Sequence, residues 1–220
     1  MARFLKKQCS EHPYRFVIGF FVIFVSWFVL LEKADLPVVW HIHCALDQYI
    51  PFVKQAVIPY CLWFLWMTQS MFHVVIREDA QTRWRMLAPM FGGLLLILLF
   101  CTLVPNGIRL RPEEVTGNDL CAWIARKIQS VDSPTNVCPS MHVFSTICLD
   151  FGVQRAKGYR HGKLWRPLAR VLDIMICCST LLLKQHSVID VLCAIVLVTV
   201  LDLTAEYLIS RHTVRVTART

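Results

Sequence analysis

The sequence predicts an all-α fold, an integral membrane bundle of six transmembrane helices forming a single domain over residues 1–220. Three observations carry this expectation. Of 220 residues, 56% are hydrophobic and 17% charged, with a mean hydropathy of +0.52; a soluble domain carries roughly 45–50% apolar and about 25% charged residues. The apolar residues fall in blocks approaching the roughly 20 residues that a helix needs to cross a bilayer. The basic residues flank those blocks instead of forming a stripe. The net charge of +8 therefore reads as a topology signal and a contact to anionic membrane lipids, with no nucleic-acid partner.

The first block, 17–31, follows a basic start containing Arg3, Lys6, Lys7 and Arg15. Signal peptides share that layout, but segment 32–50 offers no small-x-small cleavage site, so the block is a retained first helix. The second, 51–76, accommodates Lys54 near its end, where a long side chain snorkels. The third covers 86–104. The fourth, 139–153, is short and must extend through polar flanks or tilt. Blocks 167–184 and 187–209 complete six, separated by a tight turn at Lys184-Gln185-His186. Between the third and fourth spans lies a long loop, 105–138, in which the spacing of Trp123, Ile124 and Ile128 predicts a surface helix over 120–130. Sixteen Lys and Arg residues flank one side of the spans and six the other. Both termini, including segment 1–16, are then cytoplasmic, and loop 105–138 and the turn at His186 share the opposite face. A plasma-membrane protein is the expectation.

Most of the ten cysteines lie inside apolar blocks and read as small hydrophobes. No Cys-x-x-Cys pair exists, which argues against a zinc site. A Cys121–Cys138 bridge is conceivable from the loop positions.

Three polar clusters fall on the non-cytoplasmic face: Asn106 to Pro112, with Arg109 and Arg111; Cys138-Pro139-Ser140-Met141-His142; and Ser179, Lys184, Gln185, His186 and Asp190. Singly, each has a plain reading. Arg111 anchors a lipid headgroup, His142 is an interfacial histidine, and the His186/Asp190 pair ties helices together. The pair is the most informative, because residues four apart share one helix face and a carboxylate inside a span is costly unless paired or functional. Together the clusters form a chemical set. Asp190 orients His186, which attacks phosphorus; His142 protonates the leaving oxygen; Arg111, Lys184, Arg109 and Ser140 with nearby amides steady the transferred anion. Metal ligation by two histidines and Asp190 is the rival, weakened by the basic residues that accompany them.

These residues resemble the type 2 phosphatidic acid phosphatase superfamily, whose pattern is Lys-x6-Arg-Pro, then Pro-Ser-Gly-His, then Ser-Arg-x5-His-x3-Asp. Arg111-Pro112, Pro139-Ser140-Met141-His142 and Ser179-Thr180-x5-His186-x3-Asp190 stand in those places, and the resemblance covers 104–190 and on through the last block. It implies a six-helix fold and a cofactor-free, metal-independent mechanism through a phosphohistidine. His186 would be the nucleophile, Asp190 its orienter and His142 the acid. Three positions depart from the pattern: Val104 for the leading Lys, Met141 for Gly, and Thr180 for the second Arg. The missing cations make the chain similar to the branch containing sphingomyelin and inositol phosphorylceramide synthases. The expectation is a lipid phosphatase acting on a lipid phosphate or pyrophosphate. A phospho-headgroup transferase is the alternative, and a non-enzymatic lipid-binding protein a third.

Overall fold

The computed structural model describes residues 12–34, 36–159 and 161–217, with side chains as far as residue 209. Most of segment 1–16, with Arg3, Lys6 and Lys7, and also Arg160 and Arg219, lies outside the described residues. The described residues form seven α-helices. Helix α1 is Pro13–Lys33, α2 Val57–Arg77, α3 Ala80–Leu103, α4 Leu120–Val131, α5 Met141–Arg155, α6 Gly162–Leu182 and α7 Val188–Thr217. Six of them occupy the six apolar blocks, and α4 occupies the loop helix read from the sequence.

By length and apolar composition, three stretches among the described residues can cross a membrane: Pro13–Lys33, Ala80–Leu103 and Val188–Ile209. The others fall short for visible reasons. Helix α5 has 15 residues, about 22 Å at 1.5 Å per residue. Helix α6 carries Lys163, Arg166, Arg170 and Asp173 in its first half.

Local chemistry sets the helix starts. Pro13 opens α1, where its missing N–H is no loss. Asp79 caps α3 by accepting the Thr82 amide at 2.9 Å, Asp119 caps α4 through the Ala122 amide at 3.1 Å, and Ser140 caps α5 through the Val143 amide at 3.3 Å. Helices α3 and α5 form the centre of the bundle. Phe144, Leu149, Met86, Leu87, Met90, Leu94, Ile97 and Leu98 are all completely or almost completely buried there. Helix α1 lies at the side, burying only Pro13, Phe20 and Leu31 and stacking Phe20 on Phe91 of α3 at 3.8 Å.

The two ends of the bundle are sealed differently. At one end, Arg155 of α5 donates two bonds of 2.6 Å to Asp202 of α7, and Arg85 of α3 reaches Glu206 at 2.6 Å. Glu78 accepts the Lys157 and Gly158 amides at 3.0 and 2.7 Å. At the other end the loops are stitched by backbone. Strands β1 (Trp40–His41) and β2 (Asn106–Gly107) pair in parallel, and Gly107 bridges to Thr135. A Cβ at Gly107 would stand 2.7 Å from the Pro134 carbonyl oxygen, so this close approach requires glycine.

The α3–α5 contact is equally tight. A Cβ at Gly93 would lie 1.9 Å from the Phe144 ring, whereas at Gly92 nothing stands within 4 Å. Because Phe144 is fully buried, its ring has no room to swing. Gly93→Ala is expected to destabilise the protein by about 1–3 kcal/mol. Gly92→Ala should be neutral or stabilising by up to about 1 kcal/mol. Thermal unfolding of the two variants in one detergent checks this, and equal midpoints would refute it.

Candidate active site

The site is built on the turn joining α6 to α7. Helix α6 ends with two backbone bonds, Lys184 N–H to Leu181 O at 3.0 Å and Gln185 N–H to Thr180 O at 3.0 Å, the paired closure in which glycine usually sits at the left-handed position. Here that position is Lys184, with φ +56°, at a cost of about 1–2 kcal/mol for a residue with a Cβ. Its ammonium explains the choice, donating to the Asp47 carbonyl at 2.6 Å. The Asp47 carboxylate then caps α7 from outside the helix. It accepts the Val188 amide at 2.9 Å, the Ser187 hydroxyl at 2.7 Å and the Cys44 amide at 2.8 Å. Burial alone would raise the Asp47 pKa, but the bonds from Ser187, Val188 and Cys44 outweigh it and hold the carboxyl below the ordinary aspartate range.

This turn presents His186. Asp190 sits at the third helical position of α7 and accepts the Ser187 amide at 2.8 Å, one half of a capping box. The same oxygen, Oδ2, lies 3.5 Å from His186 Nδ1. That is an electrostatic contact, longer than a hydrogen bond; Asp190 Oδ1 and His186 Nδ1 are buried without a hydrogen-bond partner. Asp190 is completely buried and His186 nearly so.

The second histidine comes from the start of α5. Buried Asn106 shapes the approach, accepting the Val137 and Cys138 amides at 3.0 and 2.9 Å. The Ser140 amide donates to Asp190 O at 3.2 Å, tying the start of α5 to that of α7. His142 packs against Tyr60 and Trp63 of α2, with ring centroids 4.6 and 4.4 Å away, and its ring lies 6.0 Å from that of His186. His142 Nε2 has no hydrogen-bond partner.

Arg111 joins the group through the loops. It donates to Asp132 O at 2.6 Å, to Ser133 O at 3.2 Å and to the Gln185 side chain, and stands 3.5 Å from the Asp132 carboxylate. Burial lowers the Arg111 pKa, opposed by Asp132. Burial raises the Asp132 pKa, opposed by Arg111 and then His186.

Two cavities meet at His142. A small polar one of about 70 Å³ is lined by both histidines, Gln185, Asn136, Thr135 and Asp132. A larger one of about 400 Å³ is walled by Phe24, Phe28, Tyr60, Trp63, Leu94 and Met67, among others. Phe28, Asp132, Met141 and His142 line both. The larger cavity shares Phe24, Trp63, Phe64 and Met67 with an apolar groove of about 750 Å³ between α1 and α2.

The residues singled out in the sequence are thus distributed unevenly. His142, His186, Asp190 and Arg111 come together. Ser140 is fully buried, and its hydroxyl caps α5. Lys184 faces Asp47, and Arg109 is exposed and lines neither cavity, so the structure does not place these two as clamps. Thr180, in the place of an arginine, bonds the Cys177 carbonyl at 2.8 Å. Cys121 and Cys138 are free; the bridge left conceivable by their loop positions is not formed, Cys121 packing with the Tyr60 cluster and Cys138 with Ile42 and Ile108. Among the described residues, no group of three or more His, Cys, Asp or Glu is placed to hold a metal ion. Asp47, Asp132 and Gln185 were missed as site residues. Gln185 was legible beside His186; Asp47 and Asp132 carry no motif. No protein-family model, curated protein or solved structure matches the chain.

Because Asp47 titrates below its unfolded value of about 3.9, its stabilisation is present above that pH and is lost as pH falls through the folded value. Asp47→Asn, which keeps one oxygen acceptor and loses the charge and the other, is expected to lower stability at pH 7 by about 1–3 kcal/mol, the scale of a hydrogen bond to a charged group. The gap to wild type should narrow below about pH 4. Unfolding midpoints across pH 3–7 decide the matter, and a gap independent of pH would remove the carboxylate from the account.

Proposed function

We propose that the chain is an integral membrane phosphatase of six spanning helices, releasing phosphate from a lipid phosphate or pyrophosphate through a phosphohistidine on His186. One observation carries this reading: two imidazoles face one small polar cavity that opens, at His142, into an apolar cavity walled by aromatic rings. A phosphate head fits the first and a hydrocarbon chain the second, and an apolar pocket with a few convergent polar groups is what a ligand site requires.

The chemistry follows from the geometry. With Nδ1 turned toward Asp190, Nε2 of His186 is the free nucleophile. As Nε2 bonds to phosphorus, the bond to the lipid oxygen breaks and His142 gives that oxygen a proton. A lipid alcohol leaves, or a lipid monophosphate from a pyrophosphate. His142, now neutral, takes a proton from water, whose oxygen attacks the phosphohistidine and frees inorganic phosphate. Arg111 reaches the site through Gln185 and supplies positive potential beside the developing charge. The amide dipoles at the start of α5 add to it.

A specific observation favours a second reading, phospho-headgroup transfer between lipids. No Lys or Arg lines the polar cavity, and Lys184 is engaged by Asp47. A phosphodiester brings less negative charge than a monoester and needs fewer cations.

With phosphatidic acid in detergent micelles and excess EDTA, the wild type is expected to release phosphate. His186→Ala should cut the rate by about 10³-fold or more and His142→Ala by about 10²–10⁴-fold. Product formed only from a phosphodiester donor plus a lipid alcohol would replace hydrolysis by transfer. Activity untouched in His186→Ala would leave lipid binding alone.

The proposal includes orientation. The excess of Lys and Arg at the end sealed by Arg155, Asp202 and Glu206 puts that end in the cytoplasm and the histidines outside, in the plasma membrane. Tyr49 is 83% exposed near the histidine end. A Tyr49→Cys variant in intact cells should react with a membrane-impermeant thiol reagent at a rate well above wild type. Labelling only after lysis would invert the orientation.

A further inference from the structure

The cations at the histidine end can be sorted by what they hold. Arg111 is bound to Asp132, Ser133 and Gln185, and Lys184 to Asp47. Lys54 pairs with Asp119 at 2.5 Å, and Arg126 donates to the Val115 and Gly117 carbonyls at 2.8 and 2.9 Å. Lys33 and Arg109 are exposed and line no cavity described above. Lys127 is different. It is exposed, its ammonium has no partner among the described residues, and it lines the 400 Å³ apolar cavity that leads to His142.

Its place on α4 is fixed from both sides of the helix. Ala122 and Ala125 are buried, and Cys121, Ile124 and Ile128 pack toward Tyr60 and Leu183. That leaves Leu120, Trp123, Lys127 and Val131 along the other face, spaced three or four residues apart as one helix stripe. Leu120, Trp123 and Val131 are exposed. An apolar stripe with a single lysine suits a helix lying at the membrane surface, the ammonium at headgroup depth. Among the described residues, Lys127 is therefore the one unengaged cation lining a chamber that is apolar except for Cys61, Asp132, His142 and Ser145, and the Asp132 carboxylate there already faces Arg111.

We propose that Lys127 is a substrate-binding residue that captures the phosphate of a single-chain or double-chain lipid phosphate at the mouth of the cavity, supplying the cation that Val104 and Thr180 do not. The assignment rests on reading the two cavities as a lipid-phosphate site. An ammonium at the edge of a low-dielectric chamber attracts an anion more strongly than one in open water. The hydrocarbon chain, seated among Phe24, Phe28 and Trp63, holds that anion in place. Free inorganic phosphate has no such chain and gains only the ionic part.

The test measures binding and does not require turnover. Full-length protein carrying His186→Asn, in neutral maltoside micelles, is titrated with radiolabelled dodecyl phosphate, with dodecanol and inorganic phosphate as the other arms. Adding Lys127→Gln should weaken dodecyl phosphate binding about tenfold, the scale of one charge-assisted hydrogen bond. Lys127→Arg should restore most of it, and dodecanol binding should not move. Inorganic phosphate should bind far more weakly than dodecyl phosphate. Equal affinity in Lys127→Gln, or no dodecyl phosphate binding to any variant, overturns the assignment. So does a Lys127→Gln effect confined to anionic vesicles, which would make Lys127 an anchor of α4 only. Tight, Lys127-dependent binding by a protein whose wild type releases no phosphate would uphold this site while refuting the phosphatase.

Discussion

The position of His186 depends on a carboxylate 139 residues earlier in the chain. Asp47 caps α7 and receives the Ser187 hydroxyl, while its carbonyl receives Lys184, so both ends of the turn that holds His186 are pinned to one short loop segment. An N-cap is worth about 0.5–2 kcal/mol, comparable with the cost of holding Lys184 in the left-handed region. The two nearly offset each other, which is why a lysine is tolerated where glycine is usual. Without the Asp47 carboxylate the Val188 amide, the Ser187 hydroxyl and the Cys44 amide would lose their acceptor, and loop 45–48 would hold the carbonyl that Lys184 uses less firmly. Loop 45–48 therefore acts as a template for the turn. It is not itself held by a disulfide; Val53 N–H to Leu182 O at 2.9 Å and the β1–β2 ladder secure it.

Charge at this end is arranged to be balanced by short links. Asp190 serves as a helix cap and stands beside His186; Asp132 faces Arg111; Asp47 is satisfied by three donors. Removing charges from water is expensive unless each is hydrogen-bonded, and the site obeys that rule nearly everywhere. The exceptions at the site are His186 Nδ1, Asp190 Oδ1, His142 Nε2 and Arg111 Nε. Unpartnered buried polar atoms cost roughly 1–3 kcal/mol each; they also occur elsewhere in the bundle, on Trp66, Tyr159 and Asp173, and those on His142 and His186 differ in that both rings line the small polar cavity.

The helices were legible because bilayer-scale apolar blocks and capping residues mark them directly. The block 86–104 overlaps α3 in all but its last residue, and the loop helix 120–130 matches α4 to within one residue. His142, His186, Asp190 and Arg111 were legible too, because helix spacing and the joints between blocks bring them to one end. Lys184 and Arg109 were not. Residue type says that a cation is available, but only geometry says what it already holds, and the Asp47 carbonyl leaves no trace in composition. The three-segment stitch of β1, β2 and Thr135 involves two residues per strand, too few for any periodicity. Lys127 stood in plain view on a predicted helix; its lack of a partner is a tertiary fact.

The division of labour between helices follows from burial. Helix α3 buries twelve residues, and α5 is locked to α7 at one end by Arg155 and Asp202 and at the other through Ser140 and Asp190. His142 sits at the start of α5 and His186 in the turn just before α7, so their 6.0 Å separation is set where this doubly fastened pair meets the turn pinned by Asp47. The walls of the larger cavity come from α3 and α5 in part, through Leu94, Met141 and Ser145, and otherwise mainly from α1, α2 and α4, which contribute Phe24, Trp63 and Lys127. Helix α1 buries little and leaves Val22, Val25 and Leu30 exposed, so displacing it costs few contacts. A hydrocarbon chain lying in the groove between α1 and α2 would spread these outer helices without altering the spacing of the histidines. Under the proposed lipid-phosphate reading, chain length and bulk fall to soft walls while the spacing of the histidines is held by stiff ones, and the two requirements do not compete.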